Sequence, residues 1–249
     1  MLSISELLKS LHDDCREIKI EGNEDFDFNK EDEAYLITAG EILSYGDRNL
    51  TQLMGKYDPI GFCEAILARR KELRYRRISD LDLLGFKGSE IRKDVNGSHV
   101  VVKSIIQYSL SRIFENSKSK SHQLFEEGFI HQNLKYLKTV KFFDGDKIFG
   151  AGQFARFMYF IERGKVQLFN RNNKEIKKLS KGESFGESAL LMGQPREISA
   201  ISEGKTILQA IDAETLGPEI DKGSPLVQLA LLSVLKRLEL MNKLRAADA

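Results

Sequence analysis

The run Phe185-Gly186-Glu187-Ser188-Ala189-Leu190-Leu191-Met192-Gly193-Gln194-Pro195-Arg196-Glu197-Ile198-Ser199 constrains this chain more than any other stretch. It sets one carboxylate and one guanidinium, Glu187 and Arg196, nine positions apart, with room between them for one or two helical turns. Gly186 lets the backbone come close to a ligand. Ser188 and Ala189 open the short helix, so their N–H groups lack intrahelical acceptors and can point at an anion. Arg196 can return to the same anion with its planar fork of donors. An ionised Glu187 only accepts hydrogen bonds, which suits a sugar hydroxyl rather than a phosphate. Together these groups would hold a ribose joined to a phosphate.

The run resembles the phosphate-binding cassette of cyclic nucleotide-binding domains, whose pattern is roughly F-G-E-x-A-L, a short helix, then P-R-A-A-T/S. Phe185, Gly186, Glu187, Ala189, Leu190, Pro195, Arg196 and Ser199 match it. The resemblance implies that Gly186 and Glu187 contact the ribose 2′-OH, that Ser188 and Ala189 supply N–H groups, and that Arg196 pairs the cyclic phosphate. Glu197 departs from the pattern, which usually has Ala, Ser or Thr there. A carboxylate pointing inward at that position would repel the phosphate.

Glu197 also bears on the base. Within the family, a threonine directly after the arginine favours guanine. Turned inward, Glu197 could accept from guanine N1–H and N2–H and favour cGMP. Turned outward, it leaves an apolar pocket of Leu168, Leu179, Ile198 and the terminal helix for adenine, with Ser233 as a partner for the adenine amino group. Neighbours on a strand face opposite ways, and Ile198 is the apolar one of the pair. The outward orientation is therefore expected, with cAMP as the ligand and cGMP as the alternative.

The rest of the second half fits the same family. Phe142 to Phe149, with Gly150 and Gly152, looks like its "F-x-x-G-D-x-I-F-x-x-G" opening hairpin. Strands are expected over Phe157–Glu162, Lys165–Asn170 and Glu175–Leu179, and Glu197–Ile211 closes the roll. The step at 158–168 (MYFIERGKVQL) repeats an earlier one at 34–43 (AYLITAGEIL). This internal repeat predicts a second, upstream roll. Its cassette candidate is Gly61-Phe62-Cys63-Glu64-Ala65-Ile66-Leu67. Aligned on its Glu-Ala, this run puts Cys63 at the glycine position and Lys71 two residues short of the arginine. A lysine is not a fork, so the first copy is expected to have lost its nucleotide site. The basic run Arg69–Arg77 is expected to be a solvated surface, or one paired with the acidic segment Glu21–Glu33, rather than a nucleic-acid patch.

With 249 residues, 41% hydrophobic and 30% charged, the chain has room for two ordinary domains. A net charge of +1 gives no basic field for nucleic acid. Cys15 and Cys63 make neither a disulfide framework nor a zinc set, and point to a reducing cytoplasm. No apolar run reaches membrane-span length, and no secretory signal is visible. His12, His99, His122 and His131 all lie outside the second roll, so no cupin-type metal site is expected. No nucleophile with a paired base stands out, so neither catalysis nor a cofactor is expected. The sequence stops soon after its last helix, so no DNA-recognition helix is expected.

Helices are expected at Leu2–Arg16, Ser98–Phe114, His122–Leu137 and Pro225–Leu244. The polar stretch Glu115–Ser121 suggests a division into 1–115, a degenerate roll, and 116–249, the binding roll with its C-terminal helix. Val227, Leu231, Val234, Leu238 and Met241 follow 4-3-4-3 spacing. That stripe either packs on its own roll or pairs two copies. The expected fold is α+β: two tandem β-roll (jelly-roll) domains with flanking and C-terminal helices. The expected function is a cytoplasmic cyclic mononucleotide sensor that signals to an unknown protein effector. The alternative is a ligand-free adaptor.

Overall fold

The computed structural model describes residues 4–11, 15–46, 51–71, 73–114, 136–191 and 193–247. The polar linker expected over 115–121 and nearly all of the helix expected over 122–137 lie outside them. The chain forms a mixed α and β structure with two compact units. One is built on residues 2–98 and 223–234, the other on 99–222 and 235–249. The division thus falls at Ser98/His99 rather than at 115, because the helix before the linker groups with the second unit.

The first unit opens with helix α1 (Ile4–Lys9) and strand β1 (Arg16–Ile20). The helix expected as far as Arg16 is therefore shorter, and Arg16 already pairs with Gly85 in the sheet. Strands β2 (Glu33–Ala39), β5 (Pro59–Ile60) and β7 (Leu81–Lys87) join β1 in the order β1-β7-β2-β5. Strands β3 (Ile42–Tyr45), β4 (Thr51–Met54) and β6 (Arg74–Arg77) form a second sheet in the order β4-β3-β6. Between them lies a core of Ile20, Phe28, Tyr35, Ile37, Ile42, Met54, Ile60, Leu81 and Leu83. Helices α2 (Phe62–Leu67) and α3 (Gly88–Gly97) follow β5 and β7. From the basic run, Arg70 meets Glu31 of the acidic segment at 3.2 Å, and Arg77 donates to the Ile20 and Gly22 carbonyls.

The second unit begins with helix α4 (Val100–Phe114). Its six-stranded sheet contains β8 (Lys138–Phe142), β9 (Lys147–Phe149), β10 (Phe157–Phe169), β11 (Glu175–Ser180), β12 (Ser184–Phe185) and β13 (Ser199–Asp212). The main order is β11-β10-β13-β8, with β12 on β10 and β9 on β13. Two strands expected within 157–170 are one long strand, β10, whose register shifts around Gly164. Gly164 has φ +94°, and a Cβ there would fall 2.6 Å from the Lys205 carbonyl. Only glycine relieves both constraints. Gly40, its counterpart in the first unit, has φ +85° and would set a Cβ 2.0 Å from the Asp80 carbonyl. The repeat seen in the sequence is thus a repeated backbone bend.

Residues 158–161 of β10 are all buried, so both faces of that segment are covered. Tyr159 and Ile161 enter the core with Val166, Leu168, Leu179, Phe185 and Leu208. Phe160 faces the other way and meets Tyr108 of α4 edge-on, with ring centroids 6.4 Å apart. Helix α4 therefore covers the outer face of the strand that carries the cassette.

Helices α5 (Glu187–Leu191), α6 (Ala213–Asp221) and α7 (Pro225–Ala247) complete the chain. On α7, Val227, Leu231, Val234 and Leu238 are 0–3% exposed within the single chain. Four of the five stripe residues are thus buried within the single chain, while Met241 is half-buried.

Candidate functional site

Strand β12 is two residues long and lies on β10 with Tyr159 opposite Phe185 and Phe160 opposite Ser184. The Phe185 ring stacks on Tyr159 at 5.3 Å, which anchors the entry to the cassette. Gly186, at φ +84°, then turns the chain into α5. A Cβ at Gly186 would stand 2.5 Å from Arg196 Nη1. The glycine therefore provides both the turn and the room in which the arginine lies. Ser188 and Ala189 occupy the first turn of α5, where N–H groups have no intrahelical acceptor.

Arg196 is 3% exposed. Its Nη1 donates to the Gly186 carbonyl at 2.7 Å, and its Nη2 donates to the Phe157 carbonyl. The guanidinium carbon sits 4.0 Å from the centre of the Phe149 ring, a cation–π contact. Its backbone is tied down as well, donating to Gln153 and accepting from Gly152, both at 2.8 Å. Burial lowers the pKa of the guanidinium, while Tyr159 and Glu187 act to raise it. Burial also pushes up the Tyr159 phenol, with Arg196 opposing. The Nε of Arg196 is buried and has no hydrogen-bond partner among the described residues. An unpaired donor of this kind carries a desolvation penalty that a ligand acceptor would remove.

Glu187 is 4% exposed. Its Oε1 accepts from Arg112 Nη1, on helix α4. Its Oε2 is buried without a partner among the described residues. Arg112 also donates to the Ser184 carbonyl at 3.2 Å, and the Tyr108 phenol accepts from the Ser184 N–H at 2.6 Å. Burial pushes the Tyr108 phenol up to about 12. Burial works against the charge on Arg112, but Glu187, Tyr108 and Glu183 together outweigh it and raise the pKa. Sequence reasoning missed both Arg112 and Tyr108. They lie 75 and 76 positions from their partners, and nothing local marks them.

The remaining expected site residues divide. Leu168 and Leu179 belong to the roll's core, and Ile198 packs against it. Glu197 is exposed, in the outward orientation. The Ser199 hydroxyl accepts from the Ala151 N–H at 3.0 Å, so it braces the loop after β9. Ser233 is buried, at 2% exposed, and groups with the unit of residues 2–98 rather than with the cassette.

The first unit repeats the cassette geometry in a register different from the one expected. Strand β5 lies on β2 with Tyr35 opposite Ile60 and Leu36 opposite Pro59, the same pairing that β12 makes. Gly61, at φ +74°, turns the chain into α2, so Gly61 and not Cys63 stands where Gly186 does. A Cβ at Gly61 would fall 2.2 Å from Lys71 Cε. Lys71 therefore holds the place of Arg196, ten residues after the glycine in both units, and the loop is not shortened. Its ammonium donates to the Lys30 carbonyl at 2.9 Å and lies 5.2 Å from the Tyr35 ring centre. Two differences remain. Phe62 stands where Glu187 does, which removes the ribose acceptor. Glu64 stands where Ala189 does, and it lines a cleft of about 300 Å³ together with Lys71.

The second unit, then, joins a glycine turn, a buried carboxylate and a buried guanidinium with one unpaired polar atom on each charged group. A family model for the cyclic nucleotide-binding domain matches residues 139–222. Among relatives, a cGMP-dependent protein kinase of Plasmodium berghei is 31% identical over 121 residues, covering 49% of this chain and 12% of that protein. A cAMP-dependent protein kinase regulatory subunit of Candida albicans is 33% identical over 89 residues, covering 34% of this chain and 19% of that protein. The chain thus matches only a fifth or less of the length of these two relatives. Among solved structures, the regulatory domain of Toxoplasma gondii PKA with cAMP aligns at 18% identity and a TM-score of 0.36, over 100% of this chain and 91% of that one. Among the described residues, no His, Cys, Asp and Glu cluster could hold a metal ion, and no helix is long and apolar enough to cross a membrane.

Proposed function

We propose that the cyclic nucleotide-binding domain of this chain binds one cyclic mononucleotide, cAMP in preference to cGMP, and acts as a regulatory sensor. The observation that carries this reading is the pair of buried, unpaired atoms flanking Gly186: Glu187 Oε2, an acceptor, and Arg196 Nε, a donor. A ribose hydroxyl satisfies the first and a cyclic phosphate the second. The phosphate draws Arg196 away from the Gly186 carbonyl, and the first-turn N–H groups of α5 join it. The half-buried Ile198, packed against the core that holds Leu168 and Leu179, offers the base an apolar contact. The exposed Glu197 supports cAMP, since an outward carboxylate makes no guanine-specific contact. Of the two relatives, one is named for cAMP dependence and the other for cGMP dependence.

The first unit is read as a second, degenerate roll of the same kind, and the output as a changed contact with a protein effector. The nucleotide can drive that change only through tighter binding to one conformation, relayed through the segment 216–225 after the roll. One observation favours the ligand-free adaptor instead: Arg196 already has two backbone acceptors. Competition calorimetry with cAMP and cGMP tests the choice of nucleotide. cAMP should bind more tightly. cGMP binding about tenfold tighter, about 1.4 kcal/mol, and lost in Glu197→Ala would reverse it. Absence of binding to either would favour the adaptor.

A further inference from the structure

Helix α4 precedes the cyclic nucleotide-binding domain, yet it reaches into the cassette at two points. Tyr108 holds the N–H of Ser184, and Arg112 holds both the carbonyl of Ser184 and one oxygen of Glu187. Ser184 is the strand residue two places before the turn glycine, so α4 fixes the backbone from which the cassette springs. The second oxygen of Glu187 remains buried and unpaired.

A carboxylate that is only 4% exposed needs hydrogen-bond partners to hold its orientation. Without a cation beside it, the carboxylate would be free to rotate and would no longer present a fixed acceptor. Arg196 does not supply that cation, because its fork is turned onto the Gly186 and Phe157 carbonyls. Arg112 does. It pins Oε1 and leaves Oε2 as the free acceptor. We propose that Arg112 is the positioning residue for ribose recognition: it holds Glu187 aimed, so that Oε2 accepts the 2′-hydroxyl of the nucleotide. This rests on the nucleotide-binding reading above, and it adds that discrimination for the 2′-hydroxyl resides in a residue outside the cassette.

The test is titration calorimetry of the 249-residue chain with cAMP and with 2′-deoxy-cAMP, which lacks only that hydroxyl. The wild-type chain should prefer cAMP by about 10- to 100-fold, the range for a hydrogen bond to a charged group. In Arg112→Ala the preference should collapse to about twofold or less, through loss of cAMP affinity with little change for the deoxy analogue. Arg112→Lys keeps the charge but cannot bridge Ser184 and Glu187 at once, and should give an intermediate preference. It carries the test should Arg112→Ala not fold. A preference unchanged in both variants overturns the proposal and leaves nucleotide binding standing. A wild-type chain that binds neither ligand overturns both.

Discussion

Arg196 and Gly186 are a mutually dependent pair. The arginine lies where a Cβ on residue 186 would be, and it bonds the carbonyl of that same residue. Gly186→Ala should therefore act twice. It forces an L-residue to φ +84°, at a cost of about 1–3 kcal/mol, and it displaces the guanidinium. Urea denaturation should show the stability loss and calorimetry the loss of nucleotide binding. Arg196→Ala should leave the roll folded, since the strand pairing does not depend on it. It should weaken cAMP binding by about 2–5 kcal/mol, the usual effect of removing one partner of a buried charged contact. Circular dichroism checks the fold of that variant, and calorimetry its affinity. These residues were legible in the sequence because turn glycine, carboxylate and guanidinium lie within a dozen positions. Arg112 was not legible, because its role comes from helix packing and no local pattern encodes it.

The elements explain where sequence reading succeeded and failed. The bend at Gly40 and Gly164 was readable because both steps carry the pattern Y-x-I-x-x-G, as Tyr35, Ile37 and Gly40 and as Tyr159, Ile161 and Gly164. The first cassette was misread by two positions, because the Glu64-Ala65 pair mimics the order of a carboxylate and a small residue in the second. Strand pairing, not residue similarity, sets the register there, through Tyr35 opposite Ile60. The long β10 was split in the sequence because its exposed Glu162, Arg163 and Lys165 look like a turn. Helix α6 offers a separate test at this scale. Its N-cap, Asp212, accepts from the Thr215 N–H at 2.7 Å and from Lys138. The Lys138 hydrogen bond, helped by Thr215, holds the Asp212 carboxyl below its ordinary pKa. A depressed pKa contributes stability above the unfolded value, and that contribution is lost as pH falls through the folded one. Asp212→Ala should thus cost about 1 kcal/mol at neutral pH for the lost cap. Urea denaturation should show that gap shrinking below about pH 4, where the unfolded aspartate protonates.

At the scale of the whole molecule, the account assigns different fates to two units with the same turn. The second would offer Glu187 to a ribose and the forked Arg196 to a phosphate. The first has Phe62 and Glu64 in the corresponding places, so a cyclic phosphate would lose its ribose contact and meet a carboxylate. Arg196 and Lys71 stand in equivalent positions, which makes their neighbours, rather than the cation alone, responsible for the difference. A protein effector should be retained differently with and without cAMP in a pull-down, and the difference should vanish in Arg196→Ala. The most direct test is calorimetric titration of the 249-residue chain with cAMP. The account predicts one saturable site per chain, abolished by Arg196→Ala. Two sites per chain, no saturable binding by the wild type, or unchanged binding by the variant would contradict it.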